Sequence, residues 1–368
     1  MATMDMNLGL VLHGPKDMRL EHVPISDVGE NEVEVAIASV GICGSDIKYW
    51  LHGKCGRYVV KEPMTMGHES SGMITKVGPG VKGIKIGDRV AIEPGVPCRM
   101  CQLCKTGKYN VCPSVRFCAT PPIHGNLSRR YVHAADFCHK IPDHVTMDEA
   151  AMLEPLSVAV YSCERGSVTL GSRVVIFGAG PVGLLCHLVA KVNGAIQTTI
   201  IDIDESRLLF AEKLGVDHVI RANNYDVTEL TKIILATTGC RPDVSLECSG
   251  ADSSLNCALQ VTESGGSVIM VGRGSLEPKV SVNVLCREID IKGIFRYANS
   301  YPKALSLVSS GRIDLRPLIT HHFCLEESIR AFETAISRDE MAIKVMIHCD
   351  QNAHIGLSEG KAEHPSTA

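Results

Sequence analysis

Val174-Val175-Ile176-Phe177-Gly178-Ala179-Gly180-Pro181-Val182-Gly183-Leu184-Leu185 is the stretch that decides the fold. Its first four residues are apolar and mostly β-branched, which reads as a buried strand, and residues 184–191 read as a helix. Between them stand three glycines in the order G-x-G-x-x-G. That motif is weak alone, but here a strand precedes it and a helix follows. An acidic residue, Asp202, also ends the next apolar run, 19 positions beyond Gly183. Gly178 then permits the tight turn, Gly180 lets a pyrophosphate approach the backbone, and Gly183 brings helix and strand close. Pro181 and Val182 belong to the same turn, ahead of a helix whose positive end faces the phosphates. Asp202 would accept hydrogen bonds from ribose hydroxyls and repel a 2′-phosphate, so NAD is expected rather than NADP. Arg207 lies either near the ribose and adenine or on a solvated helix face. The alternative for the glycines is a tight turn that holds no cofactor.

Outward from this motif, strands at 174–177, 198–203, 219–220, 244–247 and 267–271 alternate with amphipathic helices. Such alternation is the sequence form of parallel βαβ units in a doubly wound sheet, an α/β fold. The chain before it is different. Residues 32–38 alternate apolar and polar, and short strand-like segments at 71–77, 89–92 and 130–133 are separated by turns such as Gly78-Pro79-Gly80. This half is β-rich and irregular. The character changes at Thr146, an N-cap residue with Glu149 three positions on. Beyond Phe295 the pattern weakens, with helices expected at 300–310 and 325–337 and a last strand at 342–348. Residues 351–368 are polar and charged, and are expected to be disordered.

A length of 368 residues favours two domains over one core. With 37 basic and 41 acidic residues the net charge is −4, and no long basic run occurs, so nucleic acid and anionic membranes are not expected partners. Neither a secretory leader nor an apolar run of membrane-spanning length is visible. Sixteen cysteines in a chain this long fit a reduced, cytoplasmic metalloprotein better than a disulfide scaffold.

Four of those cysteines, Cys98, Cys101, Cys104 and Cys112, fall within fifteen positions. Four thiolates at such spacing suit a closed, structural zinc site. A second candidate set centres on His68 and Glu69, fenced by Gly67, Gly72 and Gly78, with Cys43 available as a third ligand. Three protein ligands and one open position make a catalytic zinc site. Taken singly, a buried His–Glu pair is more often structural, and Cys43 more often a small buried hydrophobe.

Together, Gly41-Ile42-Cys43-Gly44-Ser45-Asp46, the glycine-fenced His68-Glu69, the four-cysteine lobe and residues 178–183 resemble the zinc-containing medium-chain dehydrogenase/reductase superfamily, in its order and over about residues 8–349. Residues 44–50, 117–122, 154–158 and 293–297 are closest to its sorbitol (L-iditol) and other polyol dehydrogenases, although Lys48 stands where many relatives carry His. The resemblance implies a GroES-like catalytic domain, residues 1–157 and 296–350, and a Rossmann domain, residues 158–295. It implies a catalytic zinc held by Cys43, His68 and Glu69, and a structural zinc in the four-cysteine lobe. Glu154 would be a second carboxylate at the catalytic metal, and Ser45 a proton relay. Tyr49, Phe117, Thr120, Glu154, Arg296 and Tyr297 would line a polyol pocket, with Arg296 alternatively an interdomain ion pair. NAD would lie between the lobes, its nicotinamide near Val271, Gly272 and Arg273, with Phe295 and Arg296 close by. The implied activity is reversible oxidation of sorbitol to fructose at C2 by a cytoplasmic homotetramer. The alternatives are the same chemistry on xylitol, L-idonate or L-threonine, and a non-catalytic dinucleotide-binding protein of this fold.

Overall fold

The computed structural model describes residues 7–223, 225–274, 280–337 and 339–350. The polar stretch 351–368, expected to be disordered, lies outside them. Arg173–Phe177 becomes an inner strand of a six-stranded parallel sheet. Across the sheet the order is His218–Arg221, Gln197–Asp202, Arg173–Phe177, Val244–Glu247, Ser267–Met270 and Asp290–Gly293. Val174, Val175, Ile176 and Phe177 are all buried, as expected of a strand covered on both faces. Strand order reverses beside Arg173–Phe177, and ligands of such sheets bind in the crevice at that point. Helix Pro181–Val192 starts there, with Gly180 as N-cap and proline in the first turn. Gly183 is required by packing: a Cβ at this position would run into the carbonyl oxygen of Gly178.

The rest of the chain builds a seven-stranded, mostly antiparallel sheet around Glu32–Gly41. This strand pairs with Glu69–Val77 on one side, placing Glu69 opposite Gly41. Arg130–Ala134 and Lys344–His348 pair along its other side, and Ile319–Cys324 continues the sheet in parallel with Lys344–His348. Residues near position 345 thus complete a sheet begun near position 32. The expected helices at 300–310 and 325–337 are present as Tyr301–Ser309 and Ser328–Ile336, the latter entered through a 3-10 turn. The helix start expected at Thr146 is present as Met147–Ala151, with Thr146 as N-cap, and runs on as Leu153–Arg165, whereas the helix Gly44–His52 and the sixth parallel strand Asp290–Gly293 were not expected from sequence. That strand is only four residues long, with no fully buried position to give it an apolar signature. Among the described residues no helix is long and apolar enough to cross a membrane, and all sixteen cysteines are unbridged.

The β-rich half also carries a buried histidine with a calculable effect on stability. His133 sits on Arg130–Ala134 with Nε2 2.9 Å from the Glu93 carbonyl, and burial holds its pKa below the ordinary value. Below the unfolded pKa of about 6.5, the unfolded chain therefore binds the proton that the folded chain refuses, and stability falls with pH. A His133→Gln protein is expected to lose less stability per pH unit on acidification, by up to about 1.4 kcal/mol. Urea melts between pH 7 and the depressed pKa measure this, and identical slopes for both proteins would remove the assignment.

Candidate active site

Strand Glu32–Gly41 delivers Cys43 to the start of helix Gly44–His52, where Cys43 is the N-cap in extended conformation. Its backbone N–H donates to Asp46 Oδ2 at 3.1 Å. His68 and Glu69 enter at the head of the neighbouring strand. A Cβ at position 41 would overlap the Glu69 carboxylate, so a larger residue there would displace it. Donor atoms of Cys43, His68 and Glu69 all lie within 4.8 Å of one another. Thiolate, imidazole and carboxylate are a zinc donor set. His68 Nδ1 is 3.3 Å from Asp46 Oδ1, and the two atoms face each other with no hydrogen-bond alignment. Asp46 thus stands behind the Nδ1 edge of the ring, and the chemistry of the three donors fits a metal ion.

Two residues missed in the sequence complete the surroundings. Asp46 backs His68, the carboxylate-behind-histidine pattern that fixes a ligating imidazole. Lys344 Nζ donates to Glu69 Oε2 at 2.6 Å and to the Ile42 carbonyl at 3.0 Å, with both charged side chains buried. Burial works against the Lys344 ammonium, but the charges of Glu69 and Cys43 outweigh it and its pKa is raised. The signal for Lys344 was a lone cation inside the apolar run Ala342-Ile343-Lys344-Val345-Met346-Ile347.

A cleft of about 260 Å³ opens over the three donors. Ser45, Tyr49, Phe117, Thr120, Glu154 and Arg296 line it, together with Val182, Val271, Gly272 and Arg273 from the parallel-sheet half. Ser45 Oγ is 3.5 Å from His68 Nε2. Burial pushes the Glu154 carboxyl up to about 7, against the pull of His68. Arg296 lies over the Phe117 ring and donates to Thr120 Oγ1 at 2.9 Å, so it is no interdomain ion pair. Burial, then the nearby Arg273, lowers its pKa to about 10. Tyr297 is 2% exposed, behind the cleft residue Glu154, and its hydroxyl donates to Glu154 Oε1 at 3.0 Å. It braces the carboxylate from behind. Lys48 Nζ donates to the Arg273 carbonyl, joining the cysteine-bearing helix to the loop after Ser267–Met270.

Phe295 also lies away from the cleft wall, sandwiched against Arg273 and Arg296. A second cavity of about 720 Å³ holds Gly178, Gly180, Asp202 and Arg207. Asp202 accepts from the backbone N–H of Ala179 at 2.6 Å and of Asp204 at 2.9 Å, which points its carboxylate at the glycine turn. Pro181 and the buried Gly183 lie in the adjoining helix.

The four cysteines converge. Cys101 Sγ and Cys98 Sγ lie 3.4 and 3.9 Å from Cys104 Sγ, against about 3.8 Å between sulfurs around a tetrahedral zinc. The backbone N–H groups of Cys101 and Met100 hold the Cys98 thiol down at about 6. All four side chains therefore fit a metal. The lobe also supports the cleft: Asn110 Nδ2 donates to the Phe295 carbonyl at 2.7 Å, and Asn299 Nδ2 to the Gly107 carbonyl at 2.9 Å. These bonds clamp the segment that carries Arg296 and Tyr297.

A parallel sheet with a glycine turn at its switch point, joined to a β-rich half bearing an open three-donor set, defines a two-domain alcohol dehydrogenase of the zinc type. Residues 29–143 match the alcohol dehydrogenase GroES-like domain and residues 181–310 the zinc-binding dehydrogenase family. The sorbitol dehydrogenase of Rattus norvegicus is 50% identical over 347 residues, covering 94% of this chain and 97% of the relative. The chain belongs to the sorbitol dehydrogenase family. L-idonate 5-dehydrogenase from Escherichia coli K-12 has the same fold, with a TM-score of 0.85 and 29% identity over 93% of this chain and 98% of that one. So does an alcohol dehydrogenase from E. coli CFT073 solved with NADH, with a TM-score of 0.86 and 27% identity over 93% and 99%.

Proposed function

We propose that this chain is a zinc-dependent, NAD-linked polyol dehydrogenase that interconverts sorbitol and fructose by hydride transfer at C2. The observation that carries this reading is a single cleft lined at once by the Cys43–His68–Glu69 donors, the Arg296–Thr120 pair and Val271–Arg273. Cys43, His68 and Glu69 would hold one zinc, and Cys98, Cys101, Cys104 and Cys112 a second. Bound zinc at the first site supplies Lewis-acid polarisation of an alcohol oxygen. Ser45 Oγ stands beside His68 to pass the hydroxyl proton outward. Glu154, braced by Tyr297, orients the hydroxyl-bearing end of the substrate. Arg296, Thr120 and Tyr49 offer hydrogen bonds to further hydroxyls, while Phe117 closes the apolar side. A site built to pair hydroxyls rejects analogues that lack them by large factors.

The cofactor would run from Asp202 and Arg207 past Gly178 and Gly180 to Val271, Gly272 and Arg273, with Phe295 and Arg296 behind the nicotinamide end. Asp202 favours NAD over NADP, since a 2′-phosphate would meet its carboxylate. We further propose the division of the chain into 1–157 with 296–350 and 158–295, a homotetramer, and cytoplasmic residence. Turnover of sorbitol, xylitol, L-idonate and L-threonine with each cofactor tests the reading. The expected result is fastest turnover of sorbitol with NAD. Inert sorbitol beside rapid turnover of another alcohol would overturn the substrate, and a preference for NADP would overturn the role of Asp202.

A further inference from the structure

The strand that carries Lys344 at one end carries His348 at the other, on the sheet beyond the cleft. The parallel pairing of Ile319–Cys324 with Lys344–His348 sets His322 opposite Met346 and Cys324 opposite His348. His322 and His348 are therefore diagonal neighbours on adjacent strands. Asp148, in the first turn of helix Met147–Ala151, packs over both. His322 Nδ1 lies 3.0 Å from His348 Nε2 and 3.6 Å from Asp148 Oδ2. Asp148 Oδ1 in turn accepts a 2.5 Å hydrogen bond from Ser39 Oγ, on the strand next to His348. The donor atoms of Asp148, His322 and His348 all fall within 4.8 Å of one another.

We propose that Asp148, His322 and His348 form a third metal site, which takes a divalent transition ion of the zinc, nickel or copper class with solvent completing its coordination. The donor chemistry selects the class. Two imidazoles and one carboxylate suit these ions, whereas calcium and magnesium prefer oxygen donors throughout. Spacing agrees: ligand atoms around a tetrahedral ion at about 2.0 Å lie about 3.3 Å apart, between the 3.0 and 3.6 Å separations found. The second contact shell is in place, because Ser39 already fixes the carboxylate. Burial, the largest influence on His348, keeps its pKa below the ordinary histidine value, which favours the neutral, ligating imidazole. The His322 side chain is 37% exposed, which leaves an entry path from solvent. The ion would tie a helix to two strands at a place remote in function from the Cys43 set.

Dialysed holoenzyme, with its resident zinc retained, should be titrated with Ni²⁺ by calorimetry, and its nickel and zinc contents measured afterwards. The expected result is uptake of one nickel ion without release of zinc. His322→Gln and His348→Gln should each weaken that uptake by about tenfold or more, no less than loss of an outer-shell partner costs. A His52→Gln control should leave it unchanged, and Cu²⁺ bound to the wild type should show spectroscopic coupling to two imidazole nitrogens. No uptake, uptake matched by zinc release, or equal uptake by His322→Gln would overturn the proposal. Should His348→Gln fail to fold, His322→Gln decides alone, since its side chain is the more exposed of the two.

Discussion

Cys43→Ala is expected to lower kcat/KM by about a thousandfold or more, a loss of about 4 kcal/mol in the transition state. The argument rests on ligand number. With Cys43 gone, His68 and Glu69 are what remains of the three-donor set, Asp46 stands behind His68, and the Glu154 carboxylate is held by Tyr297. Metal content should fall by about one ion per chain, because the four-cysteine set is untouched. Cys43 also caps helix Gly44–His52: its backbone N–H donates to Asp46 Oδ2, which alanine keeps, and its side chain faces the Asp46 N–H in the other half of a capping box, which alanine loses. Thermal stability should therefore change less than activity. Full activity in the alanine protein would remove the catalytic-metal assignment, and equal loss of both metals would indicate unfolding in its place.

Lys344→Met carries the largest expected effect on stability. Lys344 and Glu69 are a buried ion pair, with side chains 2% and 1% exposed. Removal of one partner from such a pair costs about 3–5 kcal/mol, because the remaining charge is left uncompensated. A metal on Glu69 offsets part of that cost, so the loss should be larger in chelated protein than in the holoenzyme. A double-mutant cycle isolates the interaction: Glu69→Gln added to Lys344→Met should recover stability in the chelated state. Urea denaturation of the four proteins measures this. Additive losses would show that Lys344 acts through its packing and not through Glu69.

Much of this could be read in the sequence, for reasons that particular residues make plain. Residues 174–183 carried both the strand and the turn, since the glycine spacing has few other uses and Asp202 stands at the right distance. Four cysteines in fifteen positions were equally legible, because their contacts are local. What escaped was set by pairing at long range. Lys344 has the look of an edge-strand lysine until Glu69 is placed opposite it. Asp46 was visible only as one letter of a motif, and its part as the brace behind His68 depends on a residue 22 positions away. Tyr297 was named with Arg296 from the family resemblance of residues 293–297, but the backbone turn at Arg296, φ +56°, which takes Arg296 to Thr120 and Tyr297 to Glu154, could not be read there. His322 and His348 drew no notice because single histidines on two strands have no shared spacing to read.

Lys344 reaches the carbonyl of Ile42 across 302 positions of chain. On a ribosome adding about 5–20 residues per second, that separation is about 15–60 s of synthesis. Throughout that interval Cys43, His68 and Glu69 are already outside or emerging, while the strand that lends Glu69 its counter-charge does not yet exist. Residues 39–41 have an unpaired edge over the same period, open to any passing strand. The counter-charge of Glu69 thus has to wait for the last strand of the sheet to be made, and contacts of such sequence separation are the slow ones to form.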